Sequence, residues 1–181
     1  MADTPSRALI RSTPPATEPL SLAEAKLYLR VDGSDEDTLI TDMIAAVREA
    51  AEEYLRRSLV TQSWALRYEG YAPARVPLPK GPVREVTEVK AVDRDGNDAP
   101  VDTALYHLAP TEDALHFESV VLGHAVEIAY TAGYGDAKDV PVSIKQGMLL
   151  HLAALHEDRL GGMALPVAAI TLYKPHRVVR V

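Results

Sequence analysis

The sequence contains no cysteine. That absence excludes disulfides, thiolate metal sites and a cysteine nucleophile together, and it fits a reducing compartment. No apolar run reaches the length needed to span a bilayer, so no membrane partner is expected. The opening stretch, MADTPSRALIRSTPPATEPL, lacks an apolar h-region and does not read as a secretory signal. Positive charge is scarce as well. The formal net charge is −7, which argues against general affinity for nucleic-acid backbones. The acidity is uneven, because Lys174, Arg177 and Arg180 give the C-terminal end a basic character. The 181 residues suffice for one domain, or a small domain with extensions, and a core of that size forms without staples.

Catalytic motifs are missing too. There is no Gly-x-Ser-x-Gly nucleophile elbow. Gly133-Tyr134-Gly135 lies between a strand and a helix, but a dinucleotide loop would need glycine at Lys138. A phosphate loop would need a Gly-Lys-Ser/Thr that is absent. His151 and His156 are five apart, whereas zinc hydrolases place two histidines four apart on one helix face. His116 and Glu118 share a strand face with no evident third ligand. Asp93, Asp95 and Asp98 begin like a calcium loop, yet Ala104 stands where the closing glutamate belongs, and a hairpin turn explains them better. The residues therefore lead to no catalytic, cofactor or metal site.

What is present is an alternation of periods. Pro5, Pro14, Pro15 and Pro19 make residues 1–19 a flexible or extended arm. Ser21 and Glu24 form a capping box for a helix over about 21–31, stopped by Asp32-Gly33-Ser34. Ser34 or Asp35 then caps a second helix over about 35–59. Leu39, Ile40, Met43, Ile44, Val47, Ala51 and Leu55 form its apolar face, against a solvated face holding Asp42, Arg48, Glu49, Glu52, Glu53 and Arg56. From about 61 to 134 the period becomes that of strands, with a tight turn at Asp95-Gly96-Asn97 and a pairing across Pro110–Asp113. The stretch Val126–Leu160 passes from strand through the glycine turn and Pro141 into a helix over about 141–160. A short helix over 166–173 starts at Pro166 and is ended by Pro175. The expectation is an α+β fold: helices around an inserted antiparallel β region, in a domain over 20–162 with a C-terminal segment over 163–181.

These features, in this order, resemble the head–tail connector, or adaptor, proteins of long-tailed bacteriophages and phage-like gene transfer agents. The resemblance rests on SLAEAKLYLRVD with the acidic DED after it, the helix ending in SLVTQSW, then LPKGPVREVTEVKAVDRDG and VEIAYTAGYGDAKDVPVSIKQGMLLHLAALHEDR. It covers Pro19 to Arg159 and continues in Leu165-Pro166, Tyr173 and Pro175-His176-Arg177. Gly147 stands where the family tends to have alanine, and Leu155-His156 replaces a more aromatic pair. Glycine in mid-helix costs about 1 kcal/mol against alanine, so a close packing partner is expected there.

The resemblance implies a structural, non-enzymatic role without cofactors. The chain would form a ring with itself beneath the portal protein of a DNA-filled head, in twelve-fold symmetry, and dock a stopper or tail-completion protein. It would be assembled in the bacterial cytoplasm and reside at the head–tail interface of a virion or gene-transfer-agent particle. The C-terminal segment would engage the portal through Pro166, Tyr173, Lys174, Pro175, His176, Arg177 and Arg180. DNA would pass through without specific binding, past a lumen lined by Glu49, Glu52 and Glu53. A small metal-dependent hydrolase and a DNA-binding module are the competing readings.

Overall fold

The computed structural model describes residues 6–157 and 164–178. The chain divides into two units, Met1–Pro15 with Thr61–Gly133, and Ala16–Val60 with Tyr134–Val181. Each closes a hydrophobic core of its own.

The first unit is antiparallel β structure. Strands β1 (Arg7–Thr13), β2 (Gln62–Ala72), β4 (Val83–Val92), β5 (Asp98–Pro100) and β8 (Val121–Ala132) form a sheet in the order β1-β2-β8-β4-β5. Strands β3 (Arg75–Pro77), β6 (Tyr106–Ala109) and β7 (Ala114–Phe117) form a second sheet in the order β3-β7-β6. The period-two pattern of β2 buries Trp64, Leu66 and Tyr68, which face Tyr130, Ile128 and Val126 across the pairing with β8. Burying a side chain such as Leu66 or Ile128 contributes roughly 1.5–3 kcal/mol. The Asp95-Gly96-Asn97 turn forms as expected: Asp93 accepts from the amides of Asp95 and Asn97, at 2.8 and 2.9 Å, and Gly96 takes φ +85°.

The N-terminal arm departs from expectation. Residues 7–13 are an edge strand, with Leu9 opposite Leu66 and Arg7 opposite Tyr68. Only Leu9 is partly covered, so the segment has no alternating pattern to betray it. Its order comes from the backbone ladder of β2. Residues 1–5 lie outside the described ones.

The second unit contains α1 (Leu22–Leu29), α2 (Asp37–Leu55), α3 (Val142–Glu157) and α4 (Val167–Tyr173). Ile40, Ile44, Val47 and Leu55 of α2 pack with Ile144, Met148 and Leu152 of α3 and Ala169 and Tyr173 of α4. The capping box is present: the Glu24 amide donates to Ser21 Oγ at 3.2 Å, and the Ser21 amide to Glu24 Oε2 at 2.8 Å. Helix α1 stops at Arg30, which takes the left-handed conformation at φ 58°, ahead of the expected Asp32-Gly33-Ser34. The N-cap of α2 is Glu36, with no side-chain cap, where Ser34 or Asp35 was expected. Of the helix expected over 141–160, residues 158–160 lie outside the described ones. Pro175 does not stop the chain from turning, because a single 3-10 turn, Lys174–His176, follows α4.

Candidate functional site

Two surfaces carry the expected functional residues, which the structure redistributes, and a third emerges from the fold. The first is the polar side of α2. Glu49 and Glu53 are exposed there, but Arg48 and Glu52 are only 4% and 5% exposed. Glu52 Oε1 accepts from the Leu59 amide at 2.8 Å, and its other oxygen accepts from Arg48 Nη1 at 3.1 Å. Arg48 Nε donates to Glu18 at 2.8 Å. Burial disfavours the charge on Arg48, and the hydrogen bond and charge of Glu18, with the charges of Glu52 and Glu49, outweigh it and hold its pKa above the ordinary value. Helix α2 ends at Leu55, ahead of the expected 59, with Arg56 in the left-handed conformation, and Glu52 ties that end to the turn that follows. The expectation that Glu52 lines an open channel is corrected: its carboxylate is spent inside the unit. The signal was there, since Ile40, Ile44, Arg48 and Glu52 form one i+4 row that leads into the buried stripe.

The second surface is the C-terminal segment, which folds back onto its own unit. Tyr173 is fully buried, its ring over Gly147 and 6.0 Å from that of Tyr54. Arg57 Nε donates to the carbonyl of His176 at 2.9 Å, and His176 Nε2 lies 2.8 Å from Ser143 Oγ. Arg177 Nε donates to the Tyr54 carbonyl at 3.1 Å, with its guanidinium 4.8 Å from the centre of the Tyr54 ring. The Val178 amide donates to the Leu55 carbonyl at 3.0 Å. Tyr173 is therefore a core residue and not a free anchor, a correction that follows from the missing Cβ at Gly147. His176 and Arg177 are held by internal bonds. Lys174 and Pro175 are exposed, Pro166 is half-buried, and Arg180 lies outside the described residues.

The third surface escaped sequence reasoning. An open groove of about 700 Å³ runs between α1 and α3, and its lining includes Leu27, Tyr28, Val142 and Leu149. Leu27 and Val142 are 83% and 82% exposed. Lys145 donates to Glu24 at 2.9 Å across it. The bond Glu24 accepts from the Ser21 backbone, and next that Lys145 contact, hold the Glu24 carboxyl down to about 2. Helical periodicity marks such positions as apolar without saying that nothing in the same chain covers them.

The histidines do not converge. His151 is buried on α3 while His156 pairs with Glu36 at 3.0 Å. His107 and His116 stack across β6 and β7 at 5.3 Å, and His116 Nε2 lies 3.3 Å from Glu112. Among the described residues no three histidines, aspartates or glutamates are grouped to hold a metal. No helix among them is long and apolar enough to cross a membrane. Gly133 and Gly135 take φ of +135° and +133°, and the intervening Tyr134 amide donates to Leu59 at 3.0 Å, the geometry of a turn.

Comparison with known proteins gives these surfaces their context. Residues 19–96 match the model of a family described as Phage gp6-like head-tail connector protein. Among curated proteins none matches. The chain is similar to one in the neck of an empty gene transfer agent particle, solved in six-fold symmetry, at 25% identity and a TM-score of 0.83, over 96% of this chain and 97% of that one. It is similar to a chain in the virion of a native gene transfer agent, at 26% identity and 0.82 over 96% of each chain. A third likeness is to a native neck solved in twelve-fold symmetry, at 26% identity and 0.81, over 96% of this chain and 97% of the other. These likenesses support a head–tail connector of a phage or gene-transfer-agent particle, a structural role and not an enzymatic one.

Proposed function

We propose that copies of this chain close into a ring beneath the portal of a DNA-filled head and present a docking surface to the stopper or tail-completion protein. The observation that carries the reading is the near full-length likeness, over 96% of the chain, to a neck component solved in twelve-fold symmetry. A closed rotational ring needs two different faces on each copy, one meeting the other around the circle.

The portal contact falls to the outward side of α4 and the turn after it. Val167, Lys174 and Pro175 are exposed there, while Tyr173 holds the segment in place from beneath. Glu49 and Glu53 are the carboxylates left to line a DNA passage. A lumen of that sign repels the phosphate backbone and lets the genome move.

Mixing the full-length chain with its portal protein and imaging the complex tests the proposal. A ring of connector density seated on the portal is the expected result; no binding at micromolar concentrations of both proteins sinks it. Lys174→Glu should weaken that binding without unfolding the chain. Glu49→Lys with Glu53→Lys should slow genome release, and unchanged release would remove the lumen assignment alone.

A further inference from the structure

The ring reading leaves open which surfaces meet, and two patches answer to each other in chemistry. On the helical unit, the groove between α1 and α3 carries Leu27 and Val142, among the most exposed large apolar residues of the chain. Isolated exposed apolar side chains are common, but two lining one groove mark a binding surface. Glu24 and Lys145 neutralise each other there. Arg30, at the end of α1, also lines the groove, and its guanidinium has no hydrogen bond or ion pair among the described residues. The groove is thus apolar with one uncompensated positive charge.

On the β unit, the start of β8 and the residue before it expose Leu122 at 77% and Val120 at 47%. The Glu118 amide donates to the Leu105 carbonyl at 3.0 Å, which brings Leu105, 48% exposed, to the same edge. The Glu118 carboxylate is exposed and has no partner among the described residues. This patch is apolar with one uncompensated negative charge. Other exposed apolar positions fit the groove less well. Ile10 stands between Arg7 and Arg11, whose sign repeats that of Arg30, and Leu39 is only 38% exposed.

The geometry points to a ring seam in which the α1–α3 groove of one copy receives the Glu118–Leu122 edge of the next, with Arg30 meeting Glu118 across the joint. The two patches differ, so the contact is head-to-tail, the kind from which a ring is built. Charge complementarity sets the register while Leu122 fills the groove. The inference rests on the ring reading above.

The absence of cysteine makes the test direct. Particles are assembled from full-length chain carrying both Leu27→Cys and Leu122→Cys, then treated with a short bismaleimide. A ladder of covalent multimers rising to the whole ring supports the seam, with no ladder from either single variant. A ladder from one variant alone, or none from the double variant while glutaraldehyde still links the copies, overturns it. If glutaraldehyde also links nothing and imaging shows no ring, the ring reading falls and this inference with it. Charge reversal gives a second readout. Arg30→Glu and Glu118→Arg should each lower the yield of joined particles about tenfold, and the two together should restore it. Failure of the double reversal to recover the yield removes the Arg30–Glu118 pairing.

Discussion

Gly147 on α3 and Tyr173 at the end of α4 are cut to fit each other. A Cβ at position 147 would stand 2.5 Å from Tyr173 Cε1 and 3.0 Å from Cδ1. The glycine, unfavourable for an isolated helix, is what lets the buried tyrosine lie flat against α3 and carry the C-terminal segment with it.

Gly147→Ala should therefore destabilise the protein although alanine is the better helix former. Overpacking costs about 1–3 kcal/mol, against roughly 1 kcal/mol gained in propensity. Urea unfolding measures the balance. Pairing Gly147→Ala with Tyr173→Leu should recover part of the loss, and strict additivity of the two would count against the fit.

Glu52→Ala should cost about 1–3 kcal/mol, because it leaves the buried Leu59 amide without its acceptor and takes one of the carboxylates from Arg48, which keeps Glu18. Glu53→Ala, one residue on and exposed, should stay within about 0.5 kcal/mol. Equal thermal shifts for the two would contradict the separation of roles along α2.

The Glu24 carboxyl titrates at about 2 in the folded chain, against an ordinary 4.5. A depressed folded pKa means stability that is present above about 4.5 and lost as pH falls toward 2. Glu24→Gln keeps the capping geometry and removes the charge facing Lys145. The side chain is 48% exposed, so solvent screening limits its worth to about 1 kcal/mol at neutral pH. The gap in melting temperature between parent and variant should be open at pH 6, narrow at pH 3, and shrink in high salt.

His151 works over a different window. It is 1% exposed, neither ring nitrogen has a partner among the described residues, and burial pushes its pKa below 6.5. The unfolded chain takes up the proton first, so stability is complete above pH 6.5 and declines as pH falls below it. His151→Leu should gain more over the parent at pH 5 than at pH 8. A gain independent of pH would mean that folding leaves the His151 pKa where it is in the unfolded chain.

Much of the fold was legible because the periods were clean. The i, i+3, i+4 recurrence of Ile40, Met43, Ile44 and Val47 can only be a half-buried helix, and Trp64, Leu66 and Tyr68 can only be one face of a strand. The strand β1 was not legible, since Arg7–Thr13 is bound through its backbone and its side chains alternate in nothing. The family resemblance implied that Tyr173 is a free anchor in the C-terminal segment, but the fate of Tyr173 depended on a hole at Gly147, 26 residues earlier in the chain on α3. Arg48 and Glu52 were misplaced for a related reason. A charged residue on the border of an apolar stripe reads as solvent-facing until its partners are known, and Glu18 is 30 residues away in sequence.

The way the chain leaves each unit has an evolutionary reading. Gln62 and Ala132 are paired neighbours at the foot of β2 and β8, and Leu59 is hydrogen-bonded to Tyr134 on the helical side. Both severed ends of the insertion therefore meet on either side of the cut. The segment 61–133 thus leaves and re-enters the helical unit at one place, so a lineage could lengthen or rebuild its loops without rethreading the helices, provided that β2 keeps the edge on which β1 pairs.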